Sequence, residues 1–323
     1  MDKGRLATNR WISLGRAGLD LYADPPGARV EDARAFSPAL GGSAANIAVG
    51  IAMLGGSATL LTTLSDDAVG RFALCELKRY GVATEHVRFV GGDARTSLAV
   101  VATRNDDTQT VIYRNGAADF QLSPADVERV PFNRFGGLIV AGTSLACEPS
   151  RAAAFLSAER ARKVATMIVF DVDYRAYSWP SRAVAAEICK RFSTLSDIVV
   201  GNEEEFALMA GERDGEALAR AIAADVYAVV YKMGARGLRA FAGGRAIATG
   251  THPVAAIKPT GAGDAFLAGF ATGLALGLDL EDCLRRGAAA AAIVVTRVGC
   301  APAMPDAREL RALLEDQSLA PMI

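Results

Sequence analysis

Short apolar runs alternate along most of the chain with segments of helical periodicity. The apolar runs predict buried strands at Trp11–Leu14, Ala58–Leu64, Leu138–Ala141, Met167–Asp171, Ile198–Val200 and Tyr227–Tyr231. Periodicity and capping residues predict helices at 44–54, 66–80, 149–164, 181–192, 203–210, 215–223, 264–276, 280–296 and 306–315. Repeated strand–helix units of this kind predict an α/β fold, with a mainly parallel central sheet between two layers of helices.

Two alternating runs, Ser97–Arg104 and Thr110–Asn115, interrupt this pattern. The polar residues between them favour a turn, so they are predicted to form an antiparallel hairpin. The segment 24–38, rich in proline, glycine and charge, is predicted to be loop or edge structure. We expect a β-flap over a site, formed from about 20–40 and 95–116, on a single domain that spans 1–323.

Composition narrows the possible functions. The chain has 323 residues, of which 51% are hydrophobic and 22% charged, and this suits a large globular core. Its net charge of −1, without a basic run, argues against a nucleic-acid partner. The five cysteines contain no C-x-x-C pair, which argues against a zinc site. No signal peptide is recognisable and the alanine-rich run 288–295 is too short for a membrane span, so we expect a cytoplasmic protein without a membrane partner.

The stretch Thr260-Gly261-Ala262-Gly263-Asp264 predicts a loop that leads directly into a helix. Its glycines allow close approach of the backbone, and the first amides of a helix lack internal partners at the positive end of the helix dipole. Such a start is a typical phosphate site. Asp264 in the first turn has two interpretations: a helix cap, or a carboxylate that acts beside the phosphate.

Polar residues follow several of the predicted strands: Asp20, Asp171–Arg175, Asn202–Glu205 and Lys232–Gly237. In open α/β sheets ligands bind beyond the carboxyl ends of the strands, so we expect these residues at one site. A phosphate site with a carboxylate and cations indicates phosphoryl transfer. The sequence contains neither a P-loop, nor G-x-G-x-x-G, nor the protein-kinase motifs.

Two motifs in this order, Gly41-Gly42-x-x-x-Asn46 and Gly261-Ala262-Gly263-Asp264, together with Asn202-x-x-Glu205, resemble the ribokinase-like (PfkB) family of carbohydrate kinases. The likeness covers nearly the whole chain. It implies ATP and Mg²⁺ as cofactors, a sugar as acceptor, and a possible homo-oligomer through the edge of the flap. It also implies that Asp264 is the base for the sugar hydroxyl, and that the amides of Gly261, Ala262 and Gly263 form an anion hole.

The resemblance implies further binding roles. The sugar would be held by Asp20, Gly41, Gly42 and Asn46. Mg²⁺ and the nucleotide phosphates would be organised by Asn202 and Glu205, with Glu205 reaching the metal through water. The nucleotide side would also include Lys232, Gly234, Gly237 and Thr260. The adenine is expected against 287–295, with close helix packing as the alternative interpretation of that stretch.

One departure from the family concerns the residues just before the glycine-rich turn. Many members have an acidic residue and a threonine there, and carbonyl groups nearby hold a monovalent cation. This chain has Lys258-Pro259 instead. Because lysine can replace the charge of a potassium ion, dependence on a monovalent cation is left open.

Two arginines that follow tyrosines bear on the acceptor: Arg114 on the flap and Arg175 after a strand. The planar fork of a guanidinium suits a carboxylate, so we expect both to bind an acidic sugar. A closer resemblance to the sugar-acid kinases of the family implies a keto sugar acid that is phosphorylated on a primary hydroxyl, with 2-keto-3-deoxygluconate kinases, which share the tyrosine–arginine pairs, as the alternative. Alternatively the arginines are solvated, or Arg16 and Arg175 steer the γ-phosphate. A neutral-sugar or nucleoside kinase of the same family, and a sugar-binding regulator without chemistry, are the competing functions.

Overall fold

The structure, a computed structural model, describes residue 6 and residues 8–102, 109–258 and 260–316. Its strands are β1 Arg10–Leu14, β2 Gly18–Asp24, β3 Ala35–Gly41, β4 Ser57–Ser65, β5 Val87–Val90, β6 Ser97–Val101, β7 Thr110–Tyr113, β8 Gly137–Ala141, β9 Met167–Asp171, β10 Ile198–Asn202, β11 Ala228–Lys232, β12 Leu238–Ala242 and β13 Arg245–Thr249. Its helices are α1 Ser43–Met53, α2 Ala68–Arg79, α3 Pro124–Glu128, α4 Ser150–Lys163, α5 Arg182–Ser193, α6 Glu203–Met209, α7 Gly215–Ile222, α8 Ala262–Ala275, α9 Leu280–Val295 and α10 Ala307–Glu315.

The large sheet has nine strands in the order β13-β12-β11-β10-β9-β8-β1-β4-β5. The pairs from β11 to β5 are parallel, and β12 and β13 continue antiparallel at one edge. Successive side chains of a strand point to opposite faces, so Trp11 joins the core beside α1 and α8 whereas Ile12 joins the core beside α4 and α5. Both faces are therefore covered by helices, and the predicted three-layer α/β fold is confirmed.

A second sheet of four strands has the order β3-β2-β6-β7. The hairpin of β6 and β7 is antiparallel, as predicted, and β2 pairs with β6 in parallel. The predicted turn of this hairpin falls largely on 103–108, outside the described residues. Asp20 was expected just after β1, but it lies inside β2, because Gly18 begins a new strand that turns into this small sheet.

Four elements have no counterpart among the predicted ones, namely β5, α3, β12 and β13, and the residues of β2 and β3 were expected only as unspecified parts of the flap. The strand β13 is largely exposed, so its hydrophobic pattern is weak. The signal that marks it is Gly243-Gly244, a pair of glycines that both have positive φ, as two-residue hairpin turns require. Among the described residues, no helix combines the length and the apolar character that crossing a membrane requires.

Helix α8 is held tightly between α1 and α9, because glycines bring the helices close together. A Cβ on Gly269 would lie 2.6 Å from the carbonyl oxygen of Arg286, and one on Gly287 would lie 2.7 Å from the ring of Phe266. On the other side, a Cβ on Gly50 would lie 2.6 Å from the Cβ of Ala268. This packing fixes the position of the N-terminal end of α8 relative to the sheet.

Candidate active site

The two glycine motifs meet at the N-terminal ends of α1 and α8. Helix α8 begins after Gly261, whose φ of 87° favours glycine, and no side chain caps it. In its first turn, Oδ2 of Asp264 accepts a hydrogen bond of 2.8 Å from Nδ2 of Asn46 in α1. Residues that are 218 positions apart in the chain are thus brought into direct contact.

The electrostatic surroundings of Asp264 weaken its acidity. Its side chain is half-buried, and desolvation by the protein, followed by the negative charge of Asp173, raises its pKa to about 7. The hydrogen bond from Asn46 and the charges of Arg175 and Lys232 oppose this rise. A carboxylate with a pKa near the working pH is suited to accept a proton from a hydroxyl.

Asp173 itself stays ionised beside Asp264. Burial would raise its pKa, but the charges of Arg175 and Arg16 outweigh burial and hold the pKa below its usual range. Nη2 of Arg175 lies 2.9 Å from Oδ1 of Asp173. The negative charge that acts on Asp264 is therefore a fixed feature of the site.

The first amides of α8 face a cation. The N–H groups of Ala262, Gly263 and Asp264 lie too early in the helix for an intrahelical acceptor. The Nζ of Lys232 lies 3.5 Å from the position that a Cβ on Gly263 would take. Burial alone would lower the pKa of Lys232, but Asp171 and other nearby carboxylates outweigh burial and raise it, so the ammonium is charged. A group bound at this helix start would meet both the amides and the ammonium.

The glycines of the sugar-side motif pack tightly against Asp20 and the backbone of Arg16. A Cβ on Gly41 would lie 2.0 Å from Oδ1 of Asp20, and one on Gly42 would lie 2.4 Å from the carbonyl oxygen of Arg16. Both positions therefore require glycine. Asp20 is 5% exposed and accepts a hydrogen bond of 3.3 Å from the hydroxyl of Tyr22.

Three oxygen atoms on this side are buried without a hydrogen-bond partner among the described residues: Oδ1 of Asp20, Oδ1 of Asn46 and Oγ of Ser43. Buried acceptors are costly when they are left unpaired. Hydroxyl groups are the donors that would satisfy them, and a sugar carries several.

The three arginines near this pocket differ in accessibility. Arg175 is exposed, and Arg16 is half-buried with Nη1 3.1 Å from Oγ of Ser97. Arg114, which was expected to contact the acceptor, is 4% exposed and forms an ion pair with Asp119.

The remaining contacts of Arg114 are also with the protein. Its Nη1 donates a hydrogen bond of 3.1 Å to Oγ of Ser178, and its guanidinium lies 4.1 Å from the ring centroid of Phe120. Its position therefore ties the end of β7 to the segment after β9, and it presents little surface to a ligand.

The predicted metal side is organised by a capping box at the start of α6. Oε2 of Glu205 accepts from the amide of Asn202 at 2.7 Å, and Oε1 accepts from the amide of Tyr174 at 3.0 Å. Oδ1 of Asn202 accepts from the amide of Glu205 at 2.9 Å. In the described part of the chain, no three His, Cys, Asp or Glu side chains are grouped so as to hold a metal. Glu205 keeps a second lone pair on each oxygen, so these residues fit a Mg²⁺ that is bound through water.

The other residues that were predicted for the nucleotide side, Gly234, Gly237 and Thr260, lie outside the strands and α-helices. Gly234 and Gly237 follow β11 with φ values of 60° and 95°, and Thr260 is half-buried just before α8. In the stretch expected at the adenine, Ala288, Ala289 and Ala290 are packed into the core beside α8. Their burial favours the alternative interpretation, close helix packing, for these three alanines.

Two residues of the site were not predicted as such. Asp173 stood only among the polar residues after a strand, and its positive φ of 36° is invisible in the sequence. Cys300 lies against Gly261, with Sγ 3.1 Å from the position of a Cβ there, and Sγ is 3.4 Å from the hydroxyl of Tyr22. No spacing motif marks Cys300.

Comparison with known proteins gives concordant results. The model of the pfkB family of carbohydrate kinases matches residues 9–307. The 5-dehydro-2-deoxygluconokinase of Photobacterium profundum is 38% identical over 301 residues, which are 91% of this chain and 91% of that protein. The 5-dehydro-2-deoxygluconokinase of Geobacillus kaustophilus is 35% identical over 312 residues, 94% of this chain and 93% of that protein. A solved structure of fructokinase with bound ATP from Xylella fastidiosa superposes with a TM-score of 0.86 at 26% identity, and covers 96% of this chain and 99% of that one.

Proposed function

Since the chain belongs to the pfkB family of carbohydrate kinases, we propose that it transfers the γ-phosphate of ATP to 5-dehydro-2-deoxy-D-gluconate at the 6-hydroxyl. The contact between Asn46 and Asp264 at the start of α8 carries the proposal, because it joins the sugar-side motif to the phosphate-side motif. The choice of acceptor is supported by relatives that bear this name and are 38% and 35% identical.

In the proposed reaction, Asp264 accepts the proton of the 6-hydroxyl as its oxygen attacks the γ-phosphorus. The bond between that phosphorus and the bridging oxygen of ADP breaks, and ADP leaves. The amides of Gly261, Ala262 and Gly263 stabilise the charge on the transferred group, as does the ammonium of Lys232. Asn46 holds the Asp264 carboxylate in place by its hydrogen bond.

Mg²⁺, held through water near Asn202 and Glu205, would supply further positive charge to the nucleotide phosphates. Gly234 and Gly237 are assigned to the nucleotide side because they follow Lys232, whose Nζ lies 3.5 Å from the position of a Cβ on Gly263. Thr260 is assigned there because it directly precedes the glycine-rich turn. The unpaired oxygens of Asp20 and Asn46 support their assignment to sugar hydroxyls, with Gly41 and Gly42 allowing the close approach.

For the carboxylate of the acceptor we propose Arg175 and Arg16, and we assign Arg114 a structural role. Nη2 of Arg175 lies 2.9 Å from Oδ1 of Asp173, and the charges of Arg16 and Arg114 also lower the pKa of that carboxyl group. Of the three, Arg175 is exposed and Arg16 is half-buried, so these two can be reached by a ligand. A guanidinium binds a carboxylate through two parallel hydrogen bonds. Arg114 is unsuited to this because its guanidinium is buried with Asp119.

The test is an ADP-release assay with Mg·ATP over an acceptor panel: 5-dehydro-2-deoxygluconate, 2-keto-3-deoxygluconate, fructose, ribose and adenosine. We expect 5-dehydro-2-deoxygluconate to give the highest kcat/KM. Preference for 2-keto-3-deoxygluconate, a neutral sugar or a nucleoside would replace the proposed acceptor. Sugar binding without ADP release from any acceptor would instead indicate a regulator.

Arg175→Ala sharpens the assay. It should lower kcat/KM for the sugar acid by about tenfold or more, the size expected for a charge-assisted hydrogen bond, and affect any residual use of fructose much less. Arg245→Ala, on the exposed strand β13, is the matched control and should leave both unchanged. Equal losses for the acid and the neutral sugar would refute the carboxylate assignment.

A further inference from the structure

Lys258 is buried immediately before the phosphate-binding turn. Its side chain is 7% exposed, and Nζ donates a hydrogen bond to the carbonyl oxygen of Thr260. Its backbone is fixed as well, because the amides of Ile257 and Lys258 donate to the carbonyl oxygen of Val295 at 2.8 and 3.3 Å. The lysine thus links the end of α9 to the turn that begins α8.

The charge of this lysine is not neutralised by an ion pair. Among the described residues no carboxylate lies within salt-bridge distance of its Nζ, whereas the other lysine of the site, Lys232, lies 3.6 Å from Oδ1 of Asp171. The ionisable groups that face Lys258 are Cys300, Asp264 and Asp20, and burial lowers its pKa. A buried ammonium without a paired carboxylate destabilises a fold, so its presence calls for another reason.

That reason is its location beside the helix start. The N-terminal end of α8 already carries a partial positive charge, and an ammonium next to it increases the potential felt by an anion there. Holding the carbonyl of Thr260 also orients the peptide that leads to Gly261. An amide that is fixed in advance stabilises developing charge without reorganising during the reaction.

We propose that Lys258 is a positioning residue for phosphoryl transfer, a built-in monovalent cation that orders residues 260–263 and adds positive charge beside the turn that begins α8. The inference rests on the proposed kinase function and adds a residue to it. It follows that turnover does not require added potassium.

The experiment compares wild type, Lys258→Met, Lys258→Arg and the exposed control Lys190→Met, with whichever acceptor the wild type phosphorylates. Lys258→Met should lower kcat by about 100-fold, the size found when one anion-hole donor is removed, and change the KM of the acceptor by less than about threefold. Ammonium or potassium ions should raise the kcat of Lys258→Met by at least about tenfold, and the kcat of Lys258→Arg should exceed that of Lys258→Met by the same factor. The wild type should turn over equally in potassium, sodium and tetramethylammonium salts.

A stability measurement separates this role from a structural one. Removing a buried charge that has no paired carboxylate should leave the urea midpoint of Lys258→Met unchanged or raise it. The inference is overturned if the wild type needs potassium, if Lys258→Met keeps kcat within about threefold, if it loses stability together with activity, or if neither the ions nor arginine restores activity. If the wild type phosphorylates no acceptor, the proposed function is refuted, and the inference, which rests on it, is refuted as well.

Discussion

Two helices of this protein start in the same way and end up with different surroundings. Both α1 and α8 follow a glycine of positive φ, 100° at Gly42 and 87° at Gly261, and neither has a side-chain cap. At α1 the chain supplies its own acceptor, because the carbonyl oxygen of Arg16 accepts from the amide of Ala45 at 3.2 Å. At α8 the first three amides donate to no acceptor among the described residues.

The comparison shows that a glycine-lined helix start is not in itself a phosphate site. What decides is the group that the rest of the fold places opposite the amides. At α1 a backbone carbonyl takes one of the first amides, whereas near the start of α8 the Nζ of Lys232 lies 3.5 Å from the position of a Cβ on Gly263. The first arrangement closes the helix end with protein, and the second leaves it suited to an anion.

The strongest test of this contrast is Asp264→Asn in the first turn of α8. We expect kcat to fall by about a thousandfold or more, because the amide cannot accept the proton of the acceptor hydroxyl. ATP binding, measured by calorimetry, should persist, because the amides of the helix start remain. Asp225→Asn, in an exposed turn, is the control. A nearly normal kcat would return Asp264 to the role of a cap.

Adding a methyl group to each start separates them further. Gly42→Ala should destabilise the protein by about 3 kcal/mol, because the residue has positive φ and the new Cβ would meet a backbone carbonyl at 2.4 Å. A Cβ on Gly263 would make only an ordinary contact, 3.5 Å from Nζ of Lys232, so Gly263→Ala should change the stability by less than about 0.5 kcal/mol. It should nevertheless lower kcat by roughly tenfold, because the methyl group stands against the Lys232 ammonium at the helix start. Urea unfolding and steady-state rates give the two readouts. Equal stability losses would contradict the comparison.

The smallest expected effect concerns the hydrogen bond from α1 to α8. The base must be ionised, so kcat/KM should rise with pH through the pKa of Asp264, about 7 in the free protein. Asn46→Ala removes a bond that favours the ionised form and should move this limb to higher pH. Asp173→Asn removes a negative neighbour and should move it to lower pH, each by about half a unit or more. The pH–rate profiles of the two variants give the measurement. If both variants moved the limb in the same direction, the assigned effects of Asn46 and Asp173 on the pKa of Asp264 would be wrong.

Much of the fold followed from local patterns. The buried strands of the parallel sheet are continuous apolar runs, and the helices have clear caps, as at Asn202 and Asp306. The edge strand β13 was not predicted, because one side of it faces solvent and its apolar pattern is weak. The meeting of Asn46 with Asp264 required the family resemblance, since no local signal joins residues so far apart.

The arginines show where sequence reasoning stops. The pairing of tyrosine with arginine suggested equal roles for Arg114 and Arg175, but Asp119 lies five positions after Arg114 and captures its guanidinium. Likewise the charge of Lys258 was apparent in the sequence, whereas its burial and its bond to the Thr260 carbonyl depend on the packing of the turn against α9.

The division into two sheets has a consequence for how acceptor choice can change. In the proposed assignment, Asp20 belongs to the small sheet and Arg16 binds Ser97 of β6, whereas the base and the anion hole belong to α8, which glycines lock between α1 and α9. Part of the acceptor recognition is therefore separable from catalysis: substitutions in β2 and β6 can alter it without touching α8, whereas the contributions of Arg175, after β9, and Asn46, in α1, cannot be changed in this way.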